Sequence, residues 1–277
     1  MKIISKEVLA DCAGTRIVKL TLSAPEISRK AKAGQFVVVM ACEKGERIPL
    51  TIVGADSKAE TITLIFQETG LSTKTLGALS AGDNLYALVG PLGHATDHGL
   101  AACGKVILVA GGVGIAEIYP VAKSLKQAGN NITVVIGAKT KELLILEKEL
   151  KDIADKVYVV TDDGSYGRKG FTTAALEELL KQGEYDLVYN VGPIPMMKKA
   201  AEISRSFNTR AIVSLNALMV DATGMCGCCR VTVAGQVKFS CVDGPEFEAD
   251  KIDWEELEKR NCMYLDKEKH ICKLKFS

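Results

Sequence analysis

The sequence predicts a β + α/β protein in three parts: an antiparallel six-stranded barrel over residues 1–98, a parallel-sheet α/β domain over 99–217 and a small C-terminal module over 218–277. Three observations carry this reading. The first hundred residues are short strand-like runs punctuated by glycine, apolar runs alternate with helical patterns from Lys105 onward, and cysteines crowd a short loop beyond residue 218.

In the first part the strand candidates are 3–8, 16–22, 35–41, 47–53, 61–67 and 84–89, with Gly34, Gly54, Gly82 and Gly90 marking turns. Six strands at near-regular spacing suggest a small antiparallel barrel. One helical stretch, 72–79, follows Gly70 and interrupts the series.

In the second part strands are expected in the runs 106–114, which ends in a glycine turn, 132–138, 157–164, 187–192 and 211–217. Helices are expected at 115–129, 142–154, 173–182 and 195–206. Strand-helix alternation implies a parallel sheet with right-handed crossovers, so ligands sit at the carboxyl ends of the strands. The turn Gly111-Gly112-Val113-Gly114 joins the first strand to its helix and would let backbone and helix N-terminus approach a pyrophosphate. It is not a full G-x-G-x-x-G, because Glu117 stands at the third glycine position, and a tight turn without a ligand is the alternative. Two further strand ends, Thr161-Asp162-Asp163-Gly164 and Val191-Gly192-Pro193, would join it in a nucleotide crevice.

The third part carries Asp221, Cys226, Cys229 and Cys241 at D-x4-C-x2-C-x11-C. With cysteine in place of the aspartate, the first three match the C-x4-C-x2-C spacing of plant-type [2Fe-2S] sites, which a distant cysteine completes. Gly224 and Gly227 would let the loop bend closely around an inorganic core. The runs 231–233 and 237–241, on either side of Ala234-Gly235-Gln236, read as a hairpin that returns Cys241 to the loop. Asp221 is either the fourth ligand or a turn residue held by local hydrogen bonds. Cys228 stays outside the ligand set, since neighbours in an extended segment point to opposite faces. Zinc is the chemical rival.

The chain has 277 residues, enough for two domains and a small module. Its 47% hydrophobic and 25% charged residues are those of a globular protein, and a net charge of +1 leaves no electrostatic footprint for nucleic acid or an anionic membrane. No apolar run is long enough to span a bilayer. Nine cysteines without a recognisable secretion leader point to ligand or buried thiols in a reducing compartment, with the cytoplasm expected. Cys12, Cys42, Cys103, Cys262 and Cys272 have no ligand spacing and read as core or surface thiols. His94, His98 and His270 are scattered, and the charged runs at 139–152 and 255–269 read as solvated helix faces.

The segments GPLG (90–93), AGGVGIA (110–116), TDDGS (161–165), VGPIPMM (191–197) and VDATGMCGCC (220–229) together resemble the ferredoxin-reductase superfamily. Within it the chain is similar to electron-transfer subunits with a trailing [2Fe-2S] module, such as those of dihydroorotate dehydrogenase. It is more similar still to the small subunits of NADH-dependent ferredoxin:NADP oxidoreductases, some labelled sulfide dehydrogenase subunits. The resemblance covers nearly the whole chain and implies FAD on the barrel, a nicotinamide nucleotide on the second domain and the cluster facing a partner.

Carried onto this sequence, the resemblance makes Arg47, Pro49, Leu50 and Thr51 the flavin segment, with Thr51 at the reactive flavin edge and so the one catalytic candidate. Ile48 stands where many relatives have arginine, and Arg47 is one residue away. Gly70, Ser72 and Thr73 would hold the FAD pyrophosphate, the two hydroxyl residues being equally suited to capping the helix. Phe66, which is otherwise a core residue, and Gln67 would flank the flavin. Gly111, Gly112, Val113, Gly114, Asp162, Gly164, Gly192, Pro193 and Met196 would hold the nucleotide, with Val191 where many relatives have cysteine. NAD(H) is expected from the resemblance, although Lys139 and Lys141 would also suit the extra phosphate of NADP(H).

The implied chemistry is hydride exchange with NAD(H) and single-electron exchange through the cluster, with FAD as converter and no side-chain acid or base required. The implied partner is a larger flavin and [4Fe-4S] subunit forming a heterodimer, through which ferredoxin and NADP(H) act in electron bifurcation. Alternatives are the electron-transfer subunit of an NAD-linked dihydroorotate dehydrogenase, or a redox or nucleotide sensor without turnover.

Overall fold

The computed structural model describes residues 1–96 and 104–276. Cys103, His98 and the expected boundary at 98/99 lie outside the described residues. The chain divides into two compact units: residues 1–94 with 217–243 and 253–277, and residues 95–216 with 244–252.

In the first unit β1 (Ile3–Cys12), β2 (Thr15–Ser23), the short α1 (Pro25–Ser28), β3 (Phe36–Met40), β4 (Ile48–Asp56), β5 (Thr61–Gln67), α2 (Leu71–Ala78) and β6 (Ala87–Leu92) follow in order. The antiparallel sheet runs β1-β2-β5-β4-β3-β6, with the six strands expected. Its two edges draw together: the Ile3 N–H donates to Asp83 O at 2.8 Å, the Gly82 N–H to Ile3 O at 2.9 Å, and Lys2 bridges Asn84. Those bonds occupy 82–85, so β6 starts later than the expected 84–89 and runs on through Pro91, which an edge strand tolerates. Inside lie Ile3, Leu20, Leu22, Val37, Ile62, Leu64, Phe66 and Leu76. Each such side chain contributes roughly 1.5–3 kcal/mol by leaving water.

The second unit contains β7 (Lys105–Gly111), α3 (Gly114–Gln127), β8 (Asn131–Ala138), α4 (Glu147–Ile153), β9 (Lys156–Thr161), β10 (Arg168–Lys169), α5 (Thr172–Gln182), β11 (Leu187–Val191), α6 (Ile194–Ser206) and β12 (Arg210–Ser214). The expected helix at 142–154 forms only in its second half. Leu143 and Ile145 are both buried two positions apart, a strand-like alternation, and Leu146 takes a positive φ of 55° before α4 begins.

The C-terminal part supplies the hairpin β13 (Arg230–Val233) and β14 (Gln236–Phe239), as expected, then β15 (Glu246–Glu248), α7 (Trp254–Asn261) and α8 (Leu265–Phe276). β15 joins the second unit, pairing antiparallel with β12 and closing a sheet ordered β10-β9-β8-β7-β11-β12-β15. All other pairings in that sheet are parallel. Chain order reverses between β7 and β11, and at such a switch point the strand ends part into a crevice.

Candidate functional site

The β7 and β11 ends meet at the switch point through residues that leave no room for side chains. A Cβ on Gly111 would lie 2.7 Å from Met196 Sδ and 3.4 Å from Pro193 Cδ; on Gly192 it would lie 2.6 Å from Met196 Cε; on Gly114 it would lie 2.9 Å from the Val191 carbonyl oxygen. Gly112 sits at φ 59° and donates its N–H to Gly137 O at 2.9 Å. The structure thus brings Gly111, Gly112, Val113, Gly114, Gly192, Pro193 and Met196 together, with the first turn of α3 opening on the crevice. Asp162 and Gly164 stand at the end of β9, two strands away on the same sheet edge, and both are exposed. The arrangement suits an anionic ligand because the α3 dipole places partial positive charge at this end, although the Ile115 and Ala116 N–H groups already donate to Gly112 O at 3.2 Å and Val113 O at 3.0 Å.

Below this crevice lies a buried polar network that the sequence reading missed. Tyr189 on β11 is fully buried and donates to Glu246 Oε1 at 2.7 Å; Thr96 donates to the same oxygen, and Ser214 donates to Glu117 Oε1. Burial, then the charges of Glu246 and Glu117, push the Tyr189 phenol well above its ordinary range. The network ties β11, β12, β15 and the first turn of α3 to one another.

In the first unit, the stretch Ile48 to Thr51 of β4 pairs with β3 on one side only, since its partners on β5 begin at Ile52. Pro49 therefore sits on an open edge, where it costs no ladder bond. Pro49, Leu50 and Thr51 are half-buried, and Arg47 is exposed just ahead of the strand. Phe66 lies in the barrel core at 2% exposure, so its ring packs inward, while Gln67 is half-buried. Glu46 and Ile48 face Leu71, Ser72 and Thr75 across a cleft of about 160 Å³. The Thr73 hydroxyl caps α2, accepting from Thr69 N–H at 3.0 Å and Gly70 N–H at 3.1 Å. The Ser72 hydroxyl donates to Glu46, so a carboxylate rests where the first turn of α2 favours negative charge.

The cysteine loop gathers its donors, with Cys226 in hydrogen-bond reach of both Asp221 and Cys228, and Cys229 beside Cys241. Cys229 and Cys241 are buried, with the Cys241 N–H 3.4 Å from Cys229 Sγ. Asp221 also accepts from the Thr223 N–H at 3.0 Å, the local turn bond anticipated for an aspartate here; that bond comes first among those holding its carboxyl below the usual range. Burial, followed by the Cys229 hydrogen bond, pushes the Cys241 thiol up to about 12. Gly224 (φ 81°) and Gly227 (φ 68°) turn the loop, and a Cβ on Gly224 would lie 3.1 Å from Val242.

Among the described residues, no group of three or more His, Cys, Asp and Glu side chains is placed to hold one metal ion. Two donor pairs suit a two-iron cluster, which needs two protein ligands on each iron. The segment around Cys228 is a turn and not extended, so the opposite-faces argument for leaving it out does not apply. Cys228 lies near Cys226 and Cys229, its thiol raised chiefly by burial.

The 255–269 run is likewise not wholly a solvated face. Leu257 is buried at 1% exposure, and Arg260 turns onto the loop, donating to Cys228 O at 3.0 Å and Gly227 O at 3.4 Å.

A barrel, a nucleotide-type parallel sheet and a thiol-rich loop on one chain define an electron-transfer oxidoreductase. Residues 108–202 match the oxidoreductase NAD-binding domain, and residues 216–253 match the iron-sulfur cluster binding domain of dihydroorotate dehydrogenase B. The chain is 48% identical to a Thermotoga maritima homolog of the dihydroorotate dehydrogenase B (NAD(+)) electron transfer subunit, covering 90% of this chain and 87% of that one. It is 34% identical to the corresponding subunit of Geobacillus thermodenitrificans over 91% of this chain and 97% of that one. A chain from a solved NADH-dependent reduced ferredoxin-NADP oxidoreductase, studied for flavin-based electron bifurcation, is 44% identical with a TM-score of 0.91, covering 99% of this chain and 97% of that one. The chain belongs to this family of electron transfer subunits, and its cofactors are FAD, a [2Fe-2S] cluster and NAD(H). Such a subunit works with a partner subunit. Among the described residues no helix is long and apolar enough to cross a membrane.

Proposed function

We propose that this chain is the NAD(H)-linked subunit of an electron-bifurcating ferredoxin:NADP oxidoreductase. Its partner is a larger flavin and [4Fe-4S] subunit that handles ferredoxin and NADP(H), and the complex is cytoplasmic. The observation that carries the reading is the pairing of Asp221 with Cys226 and of Cys229 with Cys241. The carboxylate in a ligand position favours this reading over a dihydroorotate dehydrogenase subunit, for which four cysteines are expected.

When bound, the nicotinamide and flavin exchange a hydride while the cluster passes single electrons. The protein's part is to bind and position. Gly111, Gly112, Val113 and Gly114 let the start of α3 face a pyrophosphate, while Gly192, Pro193 and Met196 shape the neighbouring wall and Asp162 and Gly164 border the crevice. Pro49, Leu50 and Thr51 offer the flavin a half-buried strand edge, flanked by Arg47 and Gln67. The N–H groups of Leu71 and Ser72 at the start of α2 would face the FAD phosphates, which requires Glu46 to leave Ser72, while the Gly70 N–H is held by the Thr73 hydroxyl. Asp221 with Cys226, and Cys229 with Cys241, would hold the two irons of the cluster.

Anaerobic co-purification from the native host tests the assignment. A companion polypeptide carrying flavin and [4Fe-4S] clusters is expected, and a dihydroorotate dehydrogenase catalytic subunit in its place would overturn it. NADH-dependent dye reduction by the isolated chain separates an enzyme from a sensor.

A further inference from the structure

Arg260 is the basic side chain that α7 turns onto the cysteine loop, and its placement is over-determined. The Asp253 carboxylate caps α7 by accepting the Glu256 N–H at 2.9 Å, and the Asp253 N–H donates to Thr232 O of β13 at 2.9 Å. Leu257 buries the inner face of the helix one turn before Arg260. The guanidinium reaches the carbonyls of Gly227 and Cys228, the two residues between Cys226 and Cys229, and its Nε is buried without a hydrogen-bond partner.

Three thiolates and a carboxylate around two irons make an anionic centre that gains a further negative charge on reduction. A fixed cation beside it stabilises the reduced form more than the oxidised one, and at a half-buried site salt screens that effect little. Arginine stays charged at any physiological pH, so the bias is permanent. Outer groups of this kind tune cluster potentials.

We propose that Arg260 is a positioning residue that pins the Cys226 to Cys229 turn and, by its charge, raises the reduction potential of the cluster held there. This rests on the functional reading above. The test is a redox titration of the full-length holoprotein followed by the electron paramagnetic resonance signal of the reduced cluster, with iron and sulfide assayed in parallel. Arg260→Gln is expected to shift the midpoint potential downward with iron retained, and Arg260→Lys, which keeps the charge, to stay near wild type. An unshifted potential in Arg260→Gln, or an equal fall in Arg260→Lys, overturns the proposal. If Arg260→Gln holds no iron, Arg260→Lys decides: iron retained at the wild-type potential supports the charge, and iron lost or a lowered potential overturns it. A wild-type protein without a cluster signal overturns the functional reading as well, whereas a wild-type signal with unresponsive variants overturns this inference alone.

Discussion

Substituting Gly114 by alanine separates steric fit from backbone freedom at the nucleotide turn. The new methyl would lie 2.9 Å from the Val191 carbonyl oxygen and 3.2 Å from its carbonyl carbon, both backbone atoms of a central strand that cannot rotate away. Relief requires the start of α3 to move off β11. Overpacking of this kind costs about 1–3 kcal/mol, and the displaced helix terminus also loses part of an interaction worth about 0.3–2 kcal/mol to a bound anion. The expected result is a weaker dissociation constant for NADH by up to about 30-fold, since about 1.4 kcal/mol is tenfold, with a lowered melting temperature. Gly112→Ala is the control. It meets no atom within 4 Å but sits at φ 59°, so it costs about 1–2 kcal/mol of backbone strain without displacing the helix. Fluorescence titration with NADH and thermal denaturation measure both. If Gly114→Ala binds NADH as tightly as wild type and melts with it, the close-approach argument is wrong.

Other perturbations follow from the same geometry. Tyr189→Phe removes a donor from the buried Glu246 and is expected to cost about 1–3 kcal/mol in chemical denaturation; a loss below the measurement error would count against the network. Glu46→Gln removes a carboxylate from the start of α2 and should tighten FAD binding by about threefold to tenfold, whereas weaker binding would mean that Glu46 assists FAD. Asp155 is held below its ordinary pKa first by Lys126 and then by the Ile132 N–H. Because its folded pKa is depressed, its contribution, under about 1 kcal/mol after solvent screening, is complete above the unfolded-state value of about 3.9 and fades as pH falls through the folded value. The stability gap between wild type and Asp155→Asn should therefore close in acid, and a gap constant with pH would contradict the assignment.

The six barrel strands and the strand-helix alternation were legible because they depend on local periodicity, whereas the order of the strands in the barrel sheet was not. Thr61–Gln67 was expected at its observed ends, an alternating run bounded by turn residues. β15 was not: three residues after Gly244-Pro245 carry no period, and only the free edge of β12 makes them a strand. The donor loop was readable because cluster ligation imposes fixed spacing, whereas Arg260, Glu246 and Glu46 act through partners 26 to 150 residues away. Nothing in a window of sequence separates such a residue from a solvated one. Cys228 illustrates the same limit, because the alternation rule fails once the backbone turns.

The central claim is that this loop carries a two-iron cluster on a flavoprotein, and cofactor analysis of anaerobically purified native protein tests it most directly. The account predicts about two irons and about two acid-labile sulfides per FAD, with iron lost in Cys226→Ala and retained at a shifted potential in Asp221→Cys. Colourless protein lacking flavin, or zinc bound where iron is expected, would contradict it.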